Sequence, residues 1–337
     1  PRGWLISAAA ARTDDSGDPL ELLGLEGGAT RKAEAAVEEI RSDLAAAHPA
    51  PAVEGLQMHR LPDRSSLDVL SLQRLAHSGS SGAEAVGIDP FCLLGFLAAR
   101  TRKLVLATGI ANIYARDPMT LKAIHKTMAA IAPGRFVLGI GVSHAHLVDR
   151  IRGHEYKKPV PAMRDYLDAM EKALYMARQP EEEAPIVLAA LRPLMLKLAA
   201  TRTRGAHTYL VNPEHTKRAR ERMGPEAWLC PEQMVLLESD AERARSVGRE
   251  ALKIYVRAPN YQNNLRELGF DDSDWEGAVA SDRLVDAIVA WGDAAALRER
   301  VQAHHDAGAT HVCIQPLRAD GGFGPDMAAL EALAPGA

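Results

Sequence analysis

Two short segments of the chain carry residues that could bind a ligand and move a proton. Each follows a continuous apolar run, so we expect residues 108–114 and 141–146 to lie at the ends of two buried strands. His144, in the second segment, can hydrogen-bond or transfer a proton near neutral pH. A catalytic role for His144 is therefore one interpretation, and a purely structural hydrogen bond is the other.

Small and amide residues near these strand ends add possible ligand contacts. Gly141 and Ser143 could bring backbone N–H groups close to a ligand, because neither has a bulky side chain. Asn112 could hydrogen-bond a ligand, or its side chain could close an Asx turn with its own backbone. Together they predict a binding site at the strand ends.

The spacing of His144 and His146 favours a different chemistry. Histidines two apart on an extended chain point the same way, as they do in the barrels of metal-dependent hydrolases. Such sites also need a Lys or His at the end of a central strand and an Asp at the end of the last one. The expected strands at 185–191 and 311–317 lack these residues. A hydrolase is therefore a minor alternative, and no metal site is predicted.

The elements that must position these segments form a β-α-β unit. Apolar runs at 104–107 and 136–140 are typical of strands that are covered on both faces. Asp117 can cap a helix between them that begins at Pro118. In such units a ligand lies beyond the carboxyl ends of the strands.

The rest of the chain continues the alternation of helix and strand. This pattern gives six strands from Lys103 onward, whereas a closed barrel of this kind needs eight. A polar segment, 259–281, interrupts the alternation. Helices are predicted at 163–178, from Pro193, from Pro213, from a capping box at Ser239, at 284–291 and at 294–307, and strands at 185–191, 207–211, 234–237 and 311–316.

Several motifs in order carry a resemblance to a known family. They are TGIANIYARDP, PGRFVLGIGVSH, RGHEYKKP, GAHTYLVNPEH, SDRLVDAIVAWGD and DAGATHVCIQPL. Over residues 83–317 the sequence resembles the luciferase-like monooxygenase superfamily, and most closely the branch that uses the deazaflavin coenzyme F420. The resemblance implies an α/β fold, a (β/α)8 TIM barrel that binds a flavin or deazaflavin at its carboxyl-end face.

The resemblance also assigns expected roles to individual residues. Gly109 and Ile110 match a bulge with a non-prolyl cis peptide that backs the cofactor ring, and Asn112 could hydrogen-bond the pyrimidine edge of that ring. The other expected cofactor contacts are Gly141 and Ser143 along the cofactor side chain, and Gly205, Ala206 and His207 near its phosphate, with Arg192, Arg202 and Arg204 as basic neighbours.

The implied function is an F420-dependent oxidoreductase that transfers a hydride between deazaflavin and an unknown small organic substrate. An FMN-dependent monooxygenase is the first alternative. A barrel remnant that is inactive or only binds a ligand is the second, because such barrels usually also draw catalytic groups from their first two strands.

The first 82 residues are expected to be atypical. Trp4 is their sole aromatic residue, and HSGSSG at 77–82 stands where the family has an apolar strand. We therefore divide the chain into an atypical segment, 1–82, possibly irregular or frame-shifted, and a luciferase-like barrel domain, 83–337. The alternative is that 4–6 and 67–75 form distorted first strands.

Composition excludes several other classes of protein. A chain of 337 residues with 47% hydrophobic content can form one barrel of about 250 residues plus an extension. A net charge of -4 gives no basic surface for nucleic acid. Three cysteines without CxxC spacing argue against a disulfide framework, so a cytoplasmic location is expected.

No apolar run is long enough to cross a membrane. The expected partners are a small-molecule substrate and possibly further copies of the chain.

Overall fold

The computed structural model describes residues 89–322 and 324–334. The expectations for residues 1–82, including the alternative strands at 4–6 and 67–75, lie outside the described residues. Within the described ranges, no helix is both long enough and apolar enough to cross a membrane.

Most helices begin where the sequence supplies a capping side chain, a proline or both. Asp117 accepts hydrogen bonds from two backbone N–H groups of the following helix, and Asn212 accepts one. Pro118 and Pro213 then occupy the first helical position, where a missing N–H costs no hydrogen bond. In chain order the helices are α1 (Pro90–Arg100), α2 (Pro118–Ile131), α3 (Pro159–Lys172), α4 (Pro193–Arg202), α5 (Pro213–Met223), α6 (Ala241–Leu252), α7 (Pro259–Glu267), α8 (Asp282–Ile288), α9 (Ala294–Asp306) and α10 (Met327–Leu333).

The strands form one curled parallel sheet. They are β1 (Leu106–Ala107), β2 (Ala111–Asn112), β3 (Phe136–Gly141), β4 (Ile186–Ala189), β5 (Gly205–Thr208), β6 (Trp228–Leu237), β7 (Val289–Gly292) and β8 (Cys313–Leu317). β1 and β2 both pair with β3, the order continues through β4 and β5 to β6, and β6 pairs with both β7 and β8. Every pairing between these strands is parallel. The described part is thus an α/β half-barrel.

Two hydrophobic clusters bury the sheet against its helices. The larger cluster includes Leu138 of β3, Leu188 of β4 and Leu229 of β6, all without solvent exposure. The smaller cluster surrounds β7 and includes Leu284 and Val289. Strands covered on both faces explain why the sequence has continuous apolar runs rather than alternating ones.

One predicted helix is wrong at its end. The segment 284–291 was expected to be helical throughout, but α8 ends at Ile288 and β7 follows directly. Val289 pairs with Met234 of β6 in a parallel ladder. This ladder overrides the helical pattern, because a buried β-branched residue packs well on a pleated sheet.

Other boundaries differ by a few residues. The cap of α6 is Asp240, which accepts a hydrogen bond from the backbone of Arg243, so the capping box predicted at Ser239 is wrong by one residue. The helix predicted at 163–178 begins instead at Pro159 and ends at Lys172. Proline is tolerated in the first turn, where backbone N–H groups have no helical partner.

Candidate active site

A bulge separates β1 from β2, the two strands that pair with the same edge of β3. β1 pairs with β3 up to Ala107 opposite Val137, and β2 resumes at Ala111 opposite Ile140. The first segment advances by four residues while β3 advances by three, so one extra residue is accommodated. Within the bulge the Gly109–Ile110 peptide bond is cis, as the resemblance implied.

Thr108 and Gly139 hold the bulge against β3. The Thr108 hydroxyl donates to the carbonyl oxygen of Gly139 at 2.7 Å and accepts from its N–H at 2.8 Å. A Cβ atom on Gly139 would lie 2.0 Å from the carbonyl oxygen of Thr108, so a side chain cannot fit there. Sequence analysis included Thr108 in the candidate segment 108–114 but missed Gly139, although a glycine inside a strand is a signal of close backbone approach.

Gly141 also makes room for the bulge. A Cβ atom on Gly141 would lie 2.6 Å from Cδ1 of Ile110 and 3.0 Å from Cβ of Ala189. Ile110 therefore fills the space that the missing side chain leaves. A cofactor contact of Gly141 would have to come from its backbone. Ser143 follows with a left-handed φ of 58°, which turns the chain sharply after β3.

His144 lies at the exit of β3, half-buried against α7. Its ring centroid is 5.5 Å from that of Tyr261, and it hydrogen-bonds the side chain of Asn260. Burial lowers the pKa of His144, and the hydrogen bond with Asn260 opposes this shift in part. The imidazole is therefore neutral at pH 7, which makes it a proton acceptor rather than a donor.

Asn112 closes an Asx turn at the neighbouring strand exit. Its Oδ1 accepts a hydrogen bond from the backbone N–H of Tyr114 at 2.9 Å. The ring of Tyr114 packs 5.9 Å from that of Tyr156, whose hydroxyl donates to the carbonyl oxygen of Ser143 at 3.2 Å. These contacts fix the loops after β2 and β3 relative to each other.

A cavity opens against the bulge. Thr108 and Gly109 form one wall, and His207 supplies a polar group on another. Nδ1 of His207 lies 2.8 Å from the carbonyl oxygen of Cys230, so Nδ1 carries the proton and Nε2 is an acceptor. This Nε2 has no hydrogen-bond partner among residues 89–322 and 324–334. The other walls are mostly apolar and include Ala107, Val137, Val187, Trp228 and Cys313.

These walls fit a flat cofactor ring. Gly109 contributes backbone without a side chain, so a planar group can approach it closely. Apolar walls with few polar groups are common in ligand pockets. Nε2 of His207 could accept a hydrogen bond from an N–H group of such a ring.

The phosphate contacts expected at Gly205, Ala206 and His207 do not lie at a strand exit. These residues begin β5 and pair with β4 on one side and β6 on the other. A Cβ atom on Gly205 would lie 1.9 Å from the carbonyl oxygen of Trp228, so this glycine is needed for strand packing. Because their backbone takes part in the sheet, the geometry does not favour an anion contact by their amides.

The three arginines near this strand make other contacts. Arg192 pairs with Glu267 at 3.2 Å, and Arg202 pairs with Asp168 at 2.6 Å. The guanidinium of Arg204 lies 5.1 Å from the ring centroid of Trp228. Such partly exposed contacts are common for surface arginines and do not form an anion site.

His144 and His146 do not converge. His146 is exposed in the short π-helical turn His146–Ile151, whereas His144 packs on Tyr261. In the described part of the chain, no three His, Cys, Asp or Glu side chains are grouped as metal ligands. The geometry therefore gives no support to the hydrolase alternative.

Sequence analysis missed a cluster of tyrosines beside His144. Tyr261 lies in α7, inside the polar segment 259–281, and its ring contacts those of Tyr209 and Tyr255. The motif APNYQNN, which contains Tyr261, resembles the family, but none of its residues was expected at the site.

A family model described as luciferase-like monooxygenase matches residues 35–311. The match begins before residue 83, so it includes part of the segment in which no family motif was visible. A 90-residue stretch is 30% identical to a provisionally named coenzyme F420-dependent oxidoreductase of Mycobacterium tuberculosis, over 27% of this chain and 26% of that protein. The first four curated relatives are matched over only 26% to 34% of their own length.

Two longer matches, at lower sequence identity, are to reductases. The 5,10-methylenetetrahydromethanopterin reductase of Archaeoglobus fulgidus is 24% identical over 273 residues, which is 66% of this chain and 80% of that protein. The structure of the F420-dependent tetrahydromethanopterin reductase from Methanopyrus kandleri superposes with a TM-score of 0.58 at 18% identity, over 73% of this chain and 86% of that one. At this identity the structural likeness shows the fold alone, a barrel of the TIM type.

Proposed function

Because the chain belongs to the luciferase-like monooxygenase family, we propose that it is an F420-dependent oxidoreductase acting on a small organic substrate. One observation carries the proposal: the bulge between β1 and β2 packs the side chain of Ile110 against Gly141 at the end of β3, close to the turn that holds His144. The relative from Mycobacterium tuberculosis supports the choice of cofactor, since it is F420-dependent by name.

We assign separate roles in cofactor binding and proton transfer to the residues of the site. When bound, F420 supplies a deazaflavin ring that gives or takes a hydride. Gly109 and Ile110 would back that ring, the backbone of Gly141 and Ser143 would border the cofactor side chain, and His207 would contact the ring by Nε2. Asn112 would act mainly by fixing the loop. His144 would take or return a proton at the mouth of the barrel.

Binding of the cofactor tests the proposal. The full chain should bind F420 at least tenfold more tightly than FMN in equilibrium dialysis, because the site motifs are those of the deazaflavin branch. An FMN-dependent monooxygenase is the second candidate; a 113-residue stretch that is 34% identical to the N-acetyl-S-alkylcysteine monooxygenase of Bacillus subtilis supports the monooxygenase part of it. Tighter binding of FMN would select that candidate, and binding of neither cofactor would favour a barrel without redox activity.

The protonation state of His144 gives an independent test of its role. Burial lowers the pKa of this imidazole, so its titration should have a midpoint below the value of about 6.5 that is usual for histidine. NMR of histidine-labelled protein would give the midpoint, and the signal lost in His144→Gln would identify the residue. A midpoint at or above the usual value would contradict the role of proton acceptor at pH 7.

A further inference from the structure

We propose, on the basis of the function proposed above, that Tyr261 is a substrate-binding residue. Its hydroxyl donates a hydrogen bond to the ketone or alcohol oxygen of an uncharged substrate, whose apolar part lies against the tyrosine cluster. We define the tyrosine cluster as Tyr209, Tyr255 and Tyr261.

The tyrosine cluster lies at the carboxyl end of the sheet, on the same side as His144. Tyr209 directly follows β5, and its ring centroid is 5.3 Å from that of Tyr255 and 6.2 Å from that of Tyr261. Tyr255 and Tyr261 meet edge to face at 5.5 Å. All three side chains are half-buried, so each keeps some ring surface for a ligand. Tyr261 also contacts His144, which connects the cluster to the proposed proton acceptor.

The hydrogen bonds within the cluster leave one hydroxyl available. The Tyr209 hydroxyl lies 2.7 Å from that of Tyr255 and 3.0 Å from Oε1 of Gln315. Tyr209 has a single hydroxyl proton, so that proton is used inside the cluster whichever acceptor it takes. The Tyr261 hydroxyl, by contrast, makes no hydrogen bond with any residue in 89–322 or 324–334. It is therefore the donor that a substrate oxygen can reach.

Charge near the cluster sets the class of substrate. Glu232 of β6 is 1% exposed, and it acts electrostatically on both Tyr209 and Tyr261. Burial raises the pKa of Tyr261, and Tyr255 and Glu232 contribute to the same shift, so the phenol stays protonated and can donate. A buried carboxyl group, ionised or protonated, gives an anionic substrate no opposite charge to pair with, and burying an unpaired anion is costly. A neutral carbonyl or alcohol is the group that this environment accepts.

Three small aromatic probes of similar shape separate the contribution of the hydrogen bond from those of charge and apolar contact. Acetophenone has a neutral ketone, benzoate has a carboxylate in the same place, and ethylbenzene has no oxygen. Each would be titrated against the full chain by saturation-transfer NMR, first without cofactor and then with F420. The variants are Tyr261→Phe, Glu232→Gln and, as a matched control, Tyr156→Phe, whose hydroxyl donates to the carbonyl oxygen of Ser143 instead.

We expect acetophenone to bind at least tenfold more tightly than benzoate. Tyr261→Phe should weaken acetophenone by about three- to tenfold, which corresponds to one neutral hydrogen bond, and leave ethylbenzene unchanged. Glu232→Gln should improve benzoate selectively, and Tyr156→Phe should leave the order of the probes as it was. Equal binding of acetophenone to the native chain and to Tyr261→Phe, or tighter binding of benzoate to the native chain, would overturn the proposal.

The two proposals can fail separately. The titrations without cofactor do not depend on F420, so a chain that binds acetophenone through Tyr261 but does not bind F420 would overturn only the proposed function. A chain that binds F420 but shows no effect of Tyr261→Phe would overturn only the role of Tyr261.

Discussion

Gly139→Ala is expected to destroy the bulge and to lower the free energy of unfolding by about 3 kcal/mol or more. The added Cβ would lie 2.0 Å from the carbonyl oxygen of Thr108, and backbone cannot move aside as a flexible side chain can. Moving the backbone would also break the two hydrogen bonds between the Thr108 hydroxyl and Gly139. Denaturant unfolding of both proteins would measure the difference.

Gly95→Ala is the matched control. Gly95 lies inside α1, and apart from the adjacent backbone of α1 no heavy atom of residues 89–322 and 324–334 lies within 4 Å of the position that its Cβ would take. The same substitution there should be neutral or stabilise by about 0.5–1 kcal/mol, because alanine is a better helix former than glycine. F420 binding should be lost in Gly139→Ala and retained in Gly95→Ala. Equal stability of the two variants would show that the bulge does not depend on Gly139.

The helix starts could be predicted because their causes are local. Asp117 and Asn212 each precede a proline, and each caps its helix through its own side chain. Both the cap and the proline act within a few residues, so a short window of sequence contains the whole cause. The position of β7 could not be predicted this way, because Val289 is a strand residue only when Met234 lies beside it.

The candidate site could be predicted where it depends on backbone and not where it depends on distant side chains. The motif around Gly109 predicted the cis bulge, and His144 was found from its place after a strand. The role of Gly139 depends on a residue 31 positions earlier in the chain, Thr108. Tyr261 lies in the family-like motif APNYQNN, but its contact with His144 joins residues that are far apart in the sequence, and the motif alone does not indicate it.

A buried hydrogen-bond chain predicts that the protein loses stability in mild acid. Nε2 of Gln233 donates to the carbonyl oxygens of Met234 and Ile288, which turns Oε1 toward Nε2 of His304 at 2.9 Å. Nε2 of His304 is therefore the donor, and Nδ1 accepts from the hydroxyl of Thr216 at 2.8 Å. His304 has no solvent exposure, so this chain requires a neutral imidazole.

The sign of the pH effect follows from the direction of the pKa shift. Burial, together with Arg300, His305 and His215, lowers the pKa of His304 to about 3. The unfolded chain then binds more protons than the folded one below a pH of about 6.5, so stability is complete above that pH and falls below it. Between pH 7.5 and 5, one such histidine costs about 2 kcal/mol. Burial lowers the pKa of His311 to about 3 as well, which doubles the loss.

We therefore expect the free energy of unfolding to fall by about 4 kcal/mol or more from pH 7.5 to pH 5, a large part of the stability of an ordinary domain. Urea unfolding at several pH values would give the slope. His304→Gln should be less stable than the native chain at pH 7.5, because the hydrogen bond from Thr216 is lost, but its loss between the two pH values should be smaller by about 2 kcal/mol. His154→Gln removes an exposed imidazole and is the matched control. The same slope in the native chain and in His304→Gln would show that this histidine does not have to be neutral for the fold to form.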